Sequence, residues 1–210
     1  NYLNSIFIDR NNYTSYFVLA MAYKNLKNYD KALKNFEKAD KLNPADVKIQ
    51  KELALCSVIL GDFDKGINYI INSIKLEPDN VESQMQLALV HEMIEEEEMA
   101  LMVYQRIIET YPDYLRAYIQ KATLYMHLED YINCAKLFKK VLKLNSDYFR
   151  AYLAIAICYD KIGNYSAARR YYKKYINICR DYNNYKDVVK RIKELGQKEN
   201  KKIYNLKVIV

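Results

Sequence analysis

The feature that most constrains this chain is a period of 34 residues. Asn43-Pro44, Glu77-Pro78 and Tyr111-Pro112 recur at that step, and Asn145-Ser146 continues the series without the proline. A column of small residues runs Ala20, Ala54, Ala88, Ala122, Ala156. A second reads Ala32, Gly66, Ala100, Cys134, Ala168, and four places later stand Phe36, Ile70, Tyr104, Phe138, Tyr172. Aromatics recur at Tyr29, Phe63, Tyr131 and Tyr165, with Glu97 as the exception. A unit this short cannot bury its apolar face alone, so a chain built on it must stack its units side by side.

Each period carries apolar residues at helical spacing twice, as in Tyr16, Leu19, Ala20, Tyr23 and then Leu33, Phe36, Ala39. The break between them, Asn25-Leu26-Lys27-Asn28, is short and polar, which predicts an antiparallel helix pair. Small residues at the crossings let two backbones approach. Proline after the second helix stops it, and Asp46, Asp79, Asp113 and Asp147 are expected to cap the helix that follows. With only 4 Gly and 3 Pro in 210 residues, the turn chemistry of an all-β protein is missing. The fold class expected is all-α.

These columns resemble the tetratricopeptide repeat (TPR) family. Tyr16, Leu19, Ala20, Tyr23, Tyr29, Ala32, Phe36, Ala39 and Pro44 match its pattern nearly throughout the first repeat. The register gives five repeats, 13–46, 47–80, 81–114, 115–148 and 149–182. The third departs most, with His91 in an aromatic position and Glu95-Glu96-Glu97-Glu98 in place of the turn. The resemblance implies a right-handed superhelical solenoid of antiparallel helix pairs that serves as a protein–protein interaction scaffold. Residues 1–12 read as the end of a preceding repeat, through Tyr2, Ile6 and Ile8. Residues 183–196 read as a capping helix with the stripe Tyr185, Val188, Val189, Ile192, Leu195. Gly196 to Lys202 reads as a helix stop and hinge, and 197–210 as a tail. The apolar stretch Ile203–Val210 fits a strand-like tail, a helix that packs back or the start of another domain. A chain that starts at Asn1 without Met reads as a fragment.

Most chemistries are excluded by what is missing. Gly61, Gly66, Gly163 and Gly196 have no phosphate-loop spacing. No apolar run reaches the ~18 residues of a membrane helix. Cys56, Cys134, Cys158 and Cys179 form no CxxC pair, and there are only 2 His, so no metal or other cofactor is expected. Cys56 and Cys158 lie three repeats apart and cannot pair with each other. The thiols read as reduced and buried, which places the chain in the cytoplasm. His91 stands in a core column and Glu95–Glu98 in a solvated turn, so no catalytic residue is assigned and no enzyme is expected.

Charge and groove chemistry narrow the partner. Residues 1–114 hold 12 Lys and Arg against 18 Asp and Glu, a net of −6, whereas residues 115–210 carry +13. In TPR proteins the first helix of each repeat lines a concave groove, chiefly through two positions four residues apart. Carried over, these are Phe17 and Met21, Lys51 and Leu55, Met85 and Leu89, Ile119 and Thr123, Leu153 and Ile157. The carboxylate clamp of TPR cochaperones needs Asn at the second position, where this chain has Met21, Leu55, Leu89, Thr123 and Ile157. An asparagine ladder is absent too, its column reading Val18, Glu52, Gln86, Gln120, Ala154. What remains is a groove for an apolar or amphipathic partner segment, with Leu55, Met85 and Leu89 as a contiguous strip. Ile203–Val210 is a candidate to cover it from within. The alternatives are RNA or anionic-membrane binding through Lys136, Lys139, Lys140, Lys143, Arg169, Arg170, Lys173 and Lys174, or a repeat region of a larger enzyme. Most tyrosines sit in core columns, which leaves few to stack on bases.

Overall fold

A computed structural model describes residues 12–178 and 185–208, with side chains through Glu199. The expected tail of a preceding repeat, Tyr2 to Ile8, lies outside the described residues, as does Cys179. Eleven α-helices make up the described elements. They are α1 Tyr13–Asn25, α2 Tyr29–Leu42, α3 Val47–Ile59, α4 Phe63–Leu76, α5 Val81–Met93, α6 Glu97–Thr110, α7 Leu115–His127, α8 Tyr131–Leu144, α9 Arg150–Ile162, α10 Tyr165–Ile178 and α11 Tyr185–Val208. A 13-residue helix and a 14-residue helix alternate from α1 to α10. The slip comes at α9, which starts one residue late, after an Asn145-Ser146 link without proline. There the Asn145 side chain accepts from the Asp147 amide at 3.0 Å.

The turn inside each pair obeys one rule that the residue types conceal. Lys27, Gly61, Glu95, Glu129 and Gly163, all one period apart, each take positive φ, between 57° and 83°. The left-handed residue ends the first helix and turns the chain back. Gly adopts it freely, whereas Lys27, Glu95 and Glu129 each cost about 1 kcal/mol there. The next residue caps the second helix. Asn28, Asp62, Asp130 and Asn164 accept from the amides of Lys31, Lys65, Asn133 and Ala167 at 3.0–3.3 Å. Caps on the first helices follow the period less well. Asp46 accepts from Lys48 and Ile49 as expected, but Asn80, not Asp79, caps α5. α7 and α9 have Tyr114 and Phe149 at the N-cap, with no side-chain cap. Asp79 and Asp113 stand one residue before the N-cap that the period dictates, and Asp147 two before Phe149.

The fold divides into two compact units, at Val103 and Tyr104 within α6. In the first, α1 to α4 pack each on the next, and α4 on α5. Ala20, Ala32 and Ala39 let α1 and α2 close around Phe36, whose ring meets Phe17 edge-on at 5.5 Å. Ile49, Leu53 and Cys56 extend that core, and Ala54, Ile70 and Val90 form the next cluster. In the second unit, α7 to α11 pack in the same consecutive manner. Tyr118, Phe138, Val141 and Ile155 form one cluster, and Tyr172, Tyr175, Val188 and Leu195 another.

Two features of the second unit go beyond the sequence reading, and the second overturns it. Cys134 and Cys158 share the first of those clusters as free, buried thiols hydrogen-bonded to each other. That bond and burial push the Cys134 thiol up, so it stays protonated. Gly196 is not a helix stop. α11 runs through it to Val208, so the stretch read as hinge and tail is largely helical. A helical Gly costs only about 1 kcal/mol relative to Ala. The Arg169 guanidinium lies across this turn, 3.6 Å from where a Cβ would stand, and bonds Glu199 at 2.8 Å. The side chains of Ile203–Val210 lie outside the described residues.

Candidate functional site

The first-helix positions divide by what already holds them. Phe17 and Met21, on α1, are half-buried against the α1–α2 core. Lys51 on α3 pairs with Glu77 at 3.6 Å. Ile119 on α7 packs on the second unit's core, and the Thr123 hydroxyl donates to its carbonyl at 2.9 Å. Leu153 and Ile157, on α9, pack into the terminal cluster. Leu55 is different: 44% of it faces solvent, much for a leucine in a helix interior.

Leu55 and Leu89 are neighbours, as the period requires of equivalent positions on successive first helices. Together they wall a cavity of about 150 Å³ between α3 and α5. Ala54, Val58 and Ile70 line it from the α3–α4 pair, and Gln86 is its one polar side chain. Met85 does not belong to the strip. It is fully buried, because a long, flexible thioether gains more in the core than in water, and Gln86 takes its place on the wall.

The cavity has a cause in the sequence. Ile70 occupies the column that is Phe36, Tyr104, Phe138 and Tyr172 elsewhere. A planar ring is exchanged for a shorter branched chain, and the space opens beside it. The neighbouring substitutions close up instead. Gly66, in the column of Ala32 and Ala168, faces Val58, whose Cγ2 lies 2.6 Å from where a Cβ would be. Glycine is needed there because valine has already taken the room.

The third repeat compensates in the same way. His91, 7% exposed, replaces an aromatic, and Glu96 replaces the Asn or Asp that caps other second helices. The two meet, His91 Nδ1 lying 2.7 Å from Glu96 Oε2. His91 thus has a structural contact. Among the described residues no three His, Cys, Asp or Glu gather as a metal site needs. No helix among them is long and apolar enough to cross a membrane.

Several lysines of the second helices lie over tyrosine rings. Lys31 sits over Tyr23 at 5.5 Å, Lys38 over Tyr16 at 5.5 Å and Lys140 over Tyr118 at 5.9 Å. Lys139 lies over Tyr159 at 4.9 Å and also bonds its hydroxyl. Such contacts hold the ammonium stems against the surface and keep the charge in water. Lys121 is nearly buried on α7, bonded to Gln105 at 2.6 Å. Burial holds its pKa below the ordinary lysine value.

Known proteins share this arrangement. Family models described as tetratricopeptide repeat match residues 13–46, 82–114 and 113–181. No curated protein sequence matches the chain. The crystal structure of MamA protein is similar at 21% identity, covering 80% of this chain and 92% of its own, with a TM-score of 0.69. YrrB, described as a TPR protein with an unusual peptide-binding site, is 16% identical over 86% of this chain and 93% of its own, with a TM-score of 0.65. A tetratricopeptide repeat protein from Parabacteroides merdae is 18% identical over 94% of this chain and 78% of its own, with a TM-score of 0.73. At these identities the likeness is one of fold. The helix pairs, the columns that build them and the matched repeats agree, and the chain belongs to the tetratricopeptide repeat family.

Proposed function

We propose that this protein is a non-catalytic scaffold whose first-helix face binds an apolar or amphipathic segment of a protein partner, one anchor side chain entering the cavity between α3 and α5. The observation that carries the reading is the cavity itself. It is apolar on all but one side chain, walled by the exposed Leu55, and about the size of a leucine or phenylalanine side chain. Gln86 at its edge supplies one donor and one acceptor to a partner backbone. The peptide-binding site named for YrrB supports a peptide as the ligand class for this architecture. Phe17 and Met21, at the equivalent positions of α1 in the same unit, make its secondary contacts. Met85 is excluded from it by burial.

The test is a crosslinking pull-down with the whole chain. Leu55→Glu with Leu89→Glu keeps the helical signal and abolishes capture, because a carboxylate is desolvated against an apolar ligand. Ile70→Phe restores the aromatic of the other repeats, fills the cavity from behind and also abolishes capture. If the double variant unfolds, these leucines are core. If both variants fold and hold the same partners as wild type, the face is not the binding site.

A further inference from the structure

The second unit holds another cleft, of opposite chemistry. Ser166, Arg169, Arg170, Lys173, Lys174 and Asn177 recur at intervals of three and four, so they share one face of α10. They wall a cleft of about 460 Å³. The opposite face of α10 is spent on Ala168, Tyr172 and Tyr175 in the core. Four cations thus line the cleft, and among the described residues the single carboxylate in it is Glu199, from α11.

We propose that this cleft is a docking site for an acidic segment of a protein partner, and that Glu199 is the internal stand-in which such a segment displaces. Three observations support it. The first is repulsion: Arg169 with Lys173, and Arg170 with Lys174, are like charges four apart on one helix, an arrangement that destabilises it. Glu199 relieves one of them, through the 2.8 Å bond to Arg169, and leaves the rest to an outside anion. The second is preorganisation. Arg170 and Lys174 both rest over the Tyr171 ring at 5.6 Å, and Lys174 also over Tyr152 at 5.8 Å. These long side chains are already placed, so less entropy is lost when a ligand orders them. The third selects peptide over nucleic acid. Tyr171 stacks on Tyr159 at 5.7 Å and carries two cations, and Lys198 lies over Tyr165 at 5.4 Å. Among the described residues Tyr159, Tyr165 and Tyr171 each already carry a cation, which disfavours stacking of a base on them. The group already in the cleft is a side-chain carboxylate, Glu199 on α11, which favours an acidic peptide over a bilayer.

The probe is a fluorescein-labelled oligoglutamate peptide, titrated with the whole protein and followed by anisotropy at low and physiological salt. Oligouridylate and phosphatidylserine vesicles form the parallel arms. Saturable peptide binding is expected, weakened about tenfold or more by Arg170→Glu with Lys173→Glu. Lys173→Gln alone gives a smaller loss, and serves if the double reversal lowers the melting temperature. Glu199→Gln removes the competitor and tightens binding severalfold. Leu55→Glu with Leu89→Glu leaves peptide binding unchanged, which separates this cleft from the apolar face. No peptide binding at low salt, binding indifferent to the reversals or to Glu199→Gln, or tighter binding of oligouridylate or vesicles than of peptide would each overturn the proposal.

Discussion

The packing of α11 on the rest of the second unit offers the sharpest test of how its helices depend on one another. A stacked helix pair has an apolar face that its neighbour must cover. Here Val188 and Leu195 supply the cover, packed with Tyr172 and Tyr175 of α10. Leu195 is 0% exposed, so Leu195→Ala removes a wholly buried side chain and leaves a void, which costs about 2–5 kcal/mol. A second tie lies beside it. The Arg191 guanidinium forks onto Asp160 of α9, Nε to Oδ2 and Nη2 to Oδ1, both at 2.7 Å, and its Nη1 reaches Glu194 at 2.9 Å. Arg191→Ala leaves the mostly buried Asp160 carboxylate without that partner, a loss of roughly 1–3 kcal/mol. Arg191→Lys restores the charge but not the fork, and recovers only part of it.

Amide hydrogen exchange and thermal melting read both losses. Contacts in a repeat array are with neighbours, so the opening is local: amides of α10 and α11 lose protection first and those of α1 to α4 keep theirs. Truncation after Arg180 combines the two losses and adds Val188. It exposes Tyr172 and Ile176, lowers the melting temperature and promotes aggregation. The reasoning fails if Leu195→Ala changes stability by less than about 0.5 kcal/mol, the range of an ordinary surface substitution. It fails equally if the truncated chain melts and dissolves like the whole.

Two further outcomes follow from the core. Gly66→Ala alone is destabilising by about 1–3 kcal/mol, from overpacking against Val58, although alanine is the better helix former. In a Val58→Ala background the same change becomes neutral or stabilising, and a double-mutant cycle in urea measures the reversal; additive costs would refute the coupling. Burial first, and then the Glu52 charge, push the Cys56 thiol up to about 11. At pH 8 it is therefore protonated, and Ellman's reagent should reach Cys56 and Cys134 only as fast as the fold opens, against immediate reaction in guanidinium. Immediate reaction of both in the native protein would refute their burial.

The columns made the architecture legible, because stacking asks for small residues at crossings and rings between them at every step. The turn was harder to read. Its left-handed position holds Lys27, Glu95 and Glu129 beside two glycines, and a backbone angle leaves no trace when residues of every type accept it at a small cost. The caps of the second helices, Asn28, Asp62, Asp130 and Asn164, went unread, whereas the aspartates before the first helices drew the eye, and of these only Asp46 caps. The Cys134–Cys158 contact was missed because thiols from adjacent pairs meet across a helix packing, which sequence distance does not show. Gly196 misled because its usual meaning is a stop. Of the groove residues, Leu55 and Leu89 came together as the period demands. Met85 did not stay with them, since a column sets where a backbone stands and not which way a flexible side chain turns.

The departures from the repeat carry the argument about function further than the repeat does. A column broken at one position creates either a void, a clash or an unpaired polar group, and a second change nearby usually absorbs it. His91 and Glu96 are such a pair, each wrong for its column and right for the other at 2.7 Å. Val58 and Gly66 are another, the branch of one filling the room that the other gives up. Ile70 has no such counterpart. Its neighbours stay small or aliphatic, Ala54 and Val90 among them, and the space is left open beside an exposed leucine. An open apolar pocket forfeits the contacts that a ring in its place would make. Filling it takes a single change to the aromatic that four other repeats already carry. The proposed site therefore predicts that Ile70→Phe raises the melting temperature while it abolishes capture, and a variant that gains stability and still captures the partner would leave the cavity a packing defect.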